Sequence, residues 1–213
     1  PDLARRWEHM GIKVIQGYGT TEASPVVTGQ TLQRRHPDSV GRPIPGVEVR
    51  VAEDGEVLVR GPNVFQGYWR APELTQEAFT EDWYHTGDIG VLDAQGELRL
   101  RGRKKNMIVL PNGLNVYPED VEKELLKEPS VADAVVLGRE RGRGEVEVHA
   151  VLLMKEPDQA AAAVRAANRR LAPHQQVRGQ TVWPEADFPR THTLKPKRAD
   201  ILAALDRLEP AKG

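Results

Sequence analysis

A change of pattern near Gly102 to Asn106 divides this chain into two dissimilar halves and constrains its folding more than any other feature. Before the break, glycine and proline interrupt short segments that alternate apolar and polar residues. Val47 to Ala52 and Glu56 to Arg60 flank Asp54-Gly55, the strongest short-range hairpin signal. Val91-Leu92 and Glu97 to Arg101 repeat the arrangement around a turn at Asp93 to Gly96. Asp2 to His9 and Pro72 to Phe79 are expected helices, the latter with proline near its start. Residues 12–102 are thus expected to be mostly β, in strands short enough for a small, distorted barrel or a folded sheet. After the break, Pro118 to Lys127 predicts a helix whose early Glu119 and Asp120 and late Lys123 and Lys127 suit the helix dipole. Strands are expected at Val131 to Leu137, Val146 to Met154 and Gln176 to Val182, and helices at Asp158 to Leu171 and Pro196 to Leu208. The expected class is therefore α+β: a β-rich region over 1–103, then a small α/β domain over 104–213.

Composition removes several functional classes. The 213 residues contain no cysteine, which excludes disulfides, Cys-ligated metals and a thiol nucleophile. Thirty basic against 31 acidic side chains give a net charge of −1, unsuited to coating a nucleic acid. Aromatics are only 5%, too few for a base-stacking platform. Mean hydropathy is −0.53, and the apolar runs Met107 to Leu110 and Ala150 to Met154 are far too short to span a bilayer. The start, Pro-Asp-Leu-Ala-Arg-Arg, lacks the order of a signal peptide, so a soluble cytoplasmic chain is expected. A chain that begins at Pro1 without methionine is either processed or part of something longer.

Five segments carry chemistry. Gln16-Gly17-Tyr18-Gly19-Thr20-Thr21-Glu22 follows the apolar run Ile12 to Ile15. A strand entering such a turn bares backbone N–H groups and two hydroxyls to phosphate oxygens, beside a carboxylate able to hold magnesium. An ordinary turn with a satisfied threonine pair is the alternative. Tyr84-His85-Thr86-Gly87-Asp88 offers an aspartate at a turn, suited to two vicinal hydroxyls, or else one that caps its own turn. Arg101 to Asn106 is a charge run at the break, either a solvated face or a hinge. Pro111 to Pro118 is a turn-rich loop entering a helix. Phe188 to Arg198 is a polar, basic loop whose lysine can reach an anion or simply face solvent.

Each signal is modest alone, but their order is specific. Tyr-Gly-x-Thr-Glu, Gly-Tyr-Trp (67–69), His-Thr-Gly-Asp, Gly-Arg-x-Lys, Asn-Val-Tyr-Pro-Glu-Asp-Val-Glu and Pro-Arg-Thr-x-Thr-x-Lys follow one another from about Ile12 to Arg198. This series closely resembles the adenylate-forming superfamily, which includes acyl-CoA synthetases, nonribosomal peptide synthetase adenylation domains and firefly luciferase. Gln16 to Glu22 and Asn115 to Pro118 look most like the fatty acyl-CoA synthetase branch.

The resemblance implies that a carboxylate is activated with ATP, giving acyl-AMP and pyrophosphate, and that the acyl group then passes to the thiol of CoA. It places Tyr18 and Gly19 against the nucleotide, Thr21 on a phosphate, Glu22 on Mg²⁺, and Asp88 with Arg103 on the ribose. It makes Lys105 a hinge, lines the pantetheine path with Gly113, and gives Lys195 the carboxylate and α-phosphate oxygens. Leu194 stands where the family has glycine, and leucine does not readily take φ > 0, so displacement of Lys195 is expected. The family's phosphate loop ending in Pro-Lys-Gly lies upstream of Tyr-Gly-x-Thr-Glu and is absent here. The chain is accordingly expected to be the C-terminal part of a longer synthetase, inactive alone and prone to self-association through edges left uncovered. A ligase loading a carrier protein, and a non-catalytic nucleotide-binding or interaction module, are the alternatives.

Overall fold

The structure, a computed structural model, describes residues 2–140 and 145–208. Pro1, on which the reading of a processed or partial chain rested, lies outside them. The chain forms two compact units, Pro1–Lys105 and Asn106–Gly213, and each is considered separately.

The first unit begins with α1 (Asp2–His9), tied down by Glu8–Arg35 and Arg5–Asp38 ion pairs. Three very short strands, β1 (Gly17–Tyr18), β2 (Thr28–Gly29) and β3 (Arg42–Pro43), make an antiparallel sheet in that order. The larger sheet contains β4 (Glu48–Val51), β5 (Glu56–Arg60), β6 (Phe79–Thr80), β7 (Trp83–Leu92) and β8 (Leu98–Arg103), with α2 (Pro72–Glu77) leading into β6. Both predicted hairpins form: β4 pairs β5 across Asp54-Gly55, and β7 pairs β8 across Asp93 to Gly96. The long strand β7 also pairs β5 and β6. These are open sheets; no closed barrel forms among the described residues, because β4 and β6 end the larger sheet without meeting. Val27, Val47, Val57, Val59 and Leu98 fill the core between the two sheets.

The second unit opens with a hairpin of β9 (Ile108–Val109) and β10 (Asn115–Val116), followed by α3 (Pro118–Leu125). Its main sheet joins β11 (Val131–Glu140), β12 (Val146–Met154) and β13 (Gly179–Val182), antiparallel then parallel. The helices are α4 (Ala160–Asn168), shorter than the sequence suggested, and α5 (Arg198–Leu208). Strand alternation sends Ala134, Val136, Val148, Ala150 and Leu152 to a core shared with α3 and α4. Val135, Leu137 and Val151 point the other way, onto Trp183, Phe188, Ile201 and Leu205. With both faces covered, the strands read as nearly continuous apolar runs. Among the described residues no helix is long and apolar enough to cross a membrane.

Candidate functional site

The glycine-rich segment does not leave the strand expected at Ile12 to Ile15. Those two isoleucines are 49% and 55% exposed, and pairing begins only at Gly17, since nothing described flanks the earlier run. From Tyr18 the chain turns tightly: the Val27 N–H donates to the Tyr18 carbonyl at 2.8 Å, and a 3₁₀ turn covers Thr21–Ala23. A Cβ on Gly19 would stand 1.6 Å from the Pro25 carbonyl oxygen, so no other residue fits there. The Asn63 amide clamps the far side, donating to Ala23 and Val26 carbonyls at 2.8 and 2.9 Å. Thr20 Oγ1 is enclosed and engages the Tyr84 phenol without a well-shaped hydrogen bond. Thr21 is exposed.

Glu22 is fixed at both ends. Its carbonyl accepts the Phe65 N–H at 2.7 Å, and its Oε1 accepts the Tyr68 hydroxyl at 3.2 Å. Burial, then the negative charge of Glu22, raises the pKa of the Tyr68 and Tyr84 phenols, so both remain neutral donors. The second carboxylate oxygen has no partner among the described residues and suits a hard cation. Among the described residues no group of three or more His, Asp or Glu side chains gathers as a potential metal site.

Asp88 sits on a bulged strand, where the sequence suggested a turn. Between the pairs Leu58–His85 and Glu56–Ile89, β7 carries two extra residues. Gly87 takes φ +69° in that bulge, a conformation open to glycine at little cost. Buried Thr86 donates to the Val57 carbonyl at 2.7 Å and accepts the Asp88 N–H at 3.1 Å. Arg103 is the direct cross-strand partner of Asp88 on β8; its Nε lies 2.9 Å from Oδ1, and it donates to the Thr86 carbonyl at 3.2 Å. The Tyr18 hydroxyl donates to Oδ2 at 2.6 Å. Burial, then this bond to a carboxylate, pushes the Tyr18 phenol well above its ordinary pKa. Each Asp88 oxygen retains acceptor capacity for one further donor, enough for a pair of vicinal hydroxyls.

Behind Asp88 stands a network that the motifs did not announce. Glu56, 5% exposed at its side chain, accepts Lys104 at 2.8 Å, His85 at 3.0 Å and the Gly87 N–H at 2.9 Å. Burial alone would raise its pKa, but the bonds from Lys104, His85 and Gly87 outweigh it and hold the carboxyl below its ordinary value. Lys104 also reaches Asp54 at 2.7 Å. Lys104 and His85 had appeared only as one member of a charge run and one letter of a motif. The signal available was the register of β5 on β7, which places Glu56 beneath the bulge.

In the second unit, Gly113 occupies the turn between β9 and β10, its N–H donating to the Leu110 carbonyl at 2.8 Å. Lys195 is exposed on a loop closed by an Arg190–Pro196 bridge. Its ammonium makes no ion pair among the described residues. Leu194, 74% exposed, does adopt the left-handed conformation, at φ +62°. Lys105, exposed, is the last residue of the first unit.

Two models, both described as AMP-binding enzyme and the second as its C-terminal domain, match residues 1–69 and 105–207. This chain belongs to the AMP-binding, adenylate-forming enzymes. A long-chain-fatty-acid–CoA ligase of Mycobacterium bovis is 43% identical over 136 residues, 64% of this AMP-binding chain and 23% of that protein. A long-chain-fatty-acid–CoA ligase of Escherichia coli is 36% identical over 167 residues, 73% of this chain and 30% of its own length. Thus the chain spans under a third of these relatives. Among solved structures, ATP-bound MatB from Rhodopseudomonas palustris matches with TM-score 0.84 and 29% identity, over 97% of this chain and 44% of that one. O-succinylbenzoate coenzyme A synthetase from Bacillus subtilis, in complex with ATP and magnesium ion, gives 0.83 and 29%, over 93% and 43%.

Proposed function

We propose that this chain is the C-terminal part of an ATP-dependent acyl-CoA ligase that converts a fatty carboxylate to acyl-AMP and pyrophosphate and then to its CoA thioester. The observation that carries this reading is the convergence of Tyr18, Asp88 and Arg103, from separate segments, into one hydrogen-bonded group beside the Gly19 to Glu22 turn. In this reading Tyr18 lies against the adenine and Asp88 accepts the two ribose hydroxyls, with Arg103 balancing its charge. Gly19 lets the backbone approach the phosphates, and Thr21 donates to one of them. Glu22 holds Mg²⁺, which shields phosphate charge when bound. Lys195 donates to carboxylate and α-phosphate oxygens as negative charge builds between them, Lys105 acts as the hinge, and Gly113 borders the thiol's path. The CoA-ligase names of the relatives support this choice.

The test is carboxylate-dependent ATP–pyrophosphate exchange by the full-length protein. Lys195→Ala should reduce it about 10²–10³-fold, the usual cost of losing one well-placed charged donor. Exchange at the wild-type rate would sink the assignment. Acyl transfer to a carrier protein but not to CoA would instead mark a carrier-loading ligase. The 213 residues alone are expected to form no acyl-CoA, and robust synthesis by them would overturn the partial-enzyme reading. A cytoplasmic location belongs to the same proposal. So does self-association of the isolated chain through Leu3, Met10, Ile12 and Ile15, each 49–68% exposed. A strict monomer by light scattering across a wide concentration range would count against that association.

A further inference from the structure

The loop that carries Lys195 is braced more heavily than an exposed loop requires. Its turn closes through Leu194 N–H to the Thr191 carbonyl at 2.9 Å, Thr191 N–H to the Lys195 carbonyl at 2.8 Å, and Lys195 N–H to Thr191 Oγ1 at 3.2 Å. Within it Leu194 occupies φ +62°, a left-handed conformation that is unfavourable for a residue bearing a Cβ. Such strain persists only where the surroundings over-determine it.

Arg190 supplies that determination. Its NH1 donates to the Leu194 carbonyl at 3.0 Å, gripping the strained residue itself. Its NH2 donates to Asp133 Oδ2 at 2.7 Å and to Asp187 Oδ1 at 2.6 Å, and its Nε to Asp187 at 2.9 and 3.0 Å. Asp133 is aimed by a bulge: β11 shifts register by one residue between Val131 and Asp133, and Asp133 Oδ1 accepts the Ala134 N–H at 2.8 Å. The other leg of the loop is tied to the same strand. Arg198 donates to the Val136 carbonyl at 2.7 Å and to Glu122 at 3.0 Å. Every guanidinium nitrogen of Arg190 is already engaged, by two carboxylates and a carbonyl. It is therefore poorly placed to bind an anion itself, although it stands in the same basic motif as Lys195.

We infer that Arg190 is a positioning residue: it fastens the Lys195 turn to β11 through Asp133 and holds Leu194 in the left-handed conformation that a glycine would adopt unaided. The inference rests on the proposed role of Lys195 in adenylation. The loop's backbone, rather than the long lysine side chain, then sets where the ammonium stands.

The experiment measures the two half-reactions of the full-length protein separately: carboxylate-dependent ATP–pyrophosphate exchange, and transfer to CoA from preformed acyl-adenylate. Arg190→Gln should lower kcat of exchange about 10²-fold, the scale of an ångström misplacement. KM for ATP and for carboxylate, and the transfer step, should stay at wild-type values. Asp133→Asn, which keeps the anchor's shape, should lower exchange about 10-fold and leave transfer intact. In amide exchange on the chain itself, Leu194 and Lys195 should lose protection in both variants while β12 keeps it. Equal losses in both half-reactions, a loss carried by KM, or no loss in either variant would each overturn the inference. Lys195→Ala separates the two ideas. If it leaves exchange untouched, the parent reading fails; if it abolishes exchange while Arg190→Gln and Asp133→Asn do not matter, only the positioning role fails.

Discussion

In the first unit the candidate residues hold one another. Asp88 takes Tyr18 on one oxygen and Arg103 on the other, and the bulge beneath it is locked by Thr86 and Glu56. In the second unit the candidate lysine touches no carboxylate among the described residues, and the hydrogen bonds fall on the backbone that carries it. Fixed dipoles and paired charges suit recognition of a ligand in a preset shape; an unpaired ammonium on a braced loop suits a charge that appears only as a reaction proceeds. If that contrast is right, substitutions in the first unit should act on folding and nucleotide affinity. Those in the second should act on rate.

The most severe test lies at Gly19. Alanine there would put its Cβ 1.6 Å from the Pro25 carbonyl oxygen, a backbone atom, with no flexible side chain able to yield. We expect Gly19→Ala to destabilise the first unit by about 3 kcal/mol, the upper end for overpacking, and to abolish nucleotide binding. Hydrogen exchange should show accelerated opening of β1 and β2 with the second unit unchanged. Wild-type protection in both units would mean that the turn is looser than described.

Next comes Asp88→Asn, which keeps the shape but removes the charge that Arg103 and Tyr18 share. Losing charge-assisted bonds should weaken ATP binding about 10–100-fold by calorimetry. By contrast, Lys195→Ala should change ATP affinity little. Equal losses of affinity in the two variants would erase the distinction between the units.

Glu56 gives the comparison a pH dependence. Its folded-state pKa lies below that of the unfolded chain, so its stabilisation is complete above the ordinary glutamate range near 4.3 and is lost as pH falls through the depressed folded value. Protection of β5 and β7 should therefore fall once pH drops below that range, before that of β11 and β12. Glu56→Gln should lower first-unit stability by about 2 kcal/mol at pH 7, with the difference shrinking toward pH 3. A constant difference across that range would show that the carboxylate's charge is not what binds the bulge.

How much of this was legible differs between local and long-range features. Asp54-Gly55 and the turn at Asp93 to Gly96 announced their hairpins because turn chemistry is local. Counting back from the second turn, however, puts Gly102 opposite Asp88, and only the register shift at Ile89 and Gly90 brings Arg103 there. The motifs named Tyr18 and Asp88 but not their bond, which spans 70 residues and depends on how two sheets pack. Ile12 to Ile15 misled because an apolar run specifies a strand only when something covers it. Glu56 was hidden because hairpin alternation treats it as one residue of a strand, and its partners come from the β7 bulge and from Lys104 after β8. In the same way Asp133 reads as an interruption in an apolar strand until its bulge and Arg190 are seen together.

The smallest expected effect is at Leu194, and its sign tests the second unit most finely. Glycine at 194 would remove a left-handed cost of roughly 1–2 kcal/mol. It would also free the unfolded chain, which offsets about 0.4–1 kcal/mol. The side chain is 74% exposed and gives up little packing. Leu194→Gly should thus stabilise the second unit by less than about 1 kcal/mol, read as slower amide exchange at Leu205 and Ile201 in urea. The same change should leave pyrophosphate exchange within about 2-fold of wild type, because Arg190 already holds the turn in the shape glycine prefers. A large rate increase would mean that leucine displaces Lys195 as the sequence first suggested. Marked destabilisation would mean that its exposed side chain has a partner.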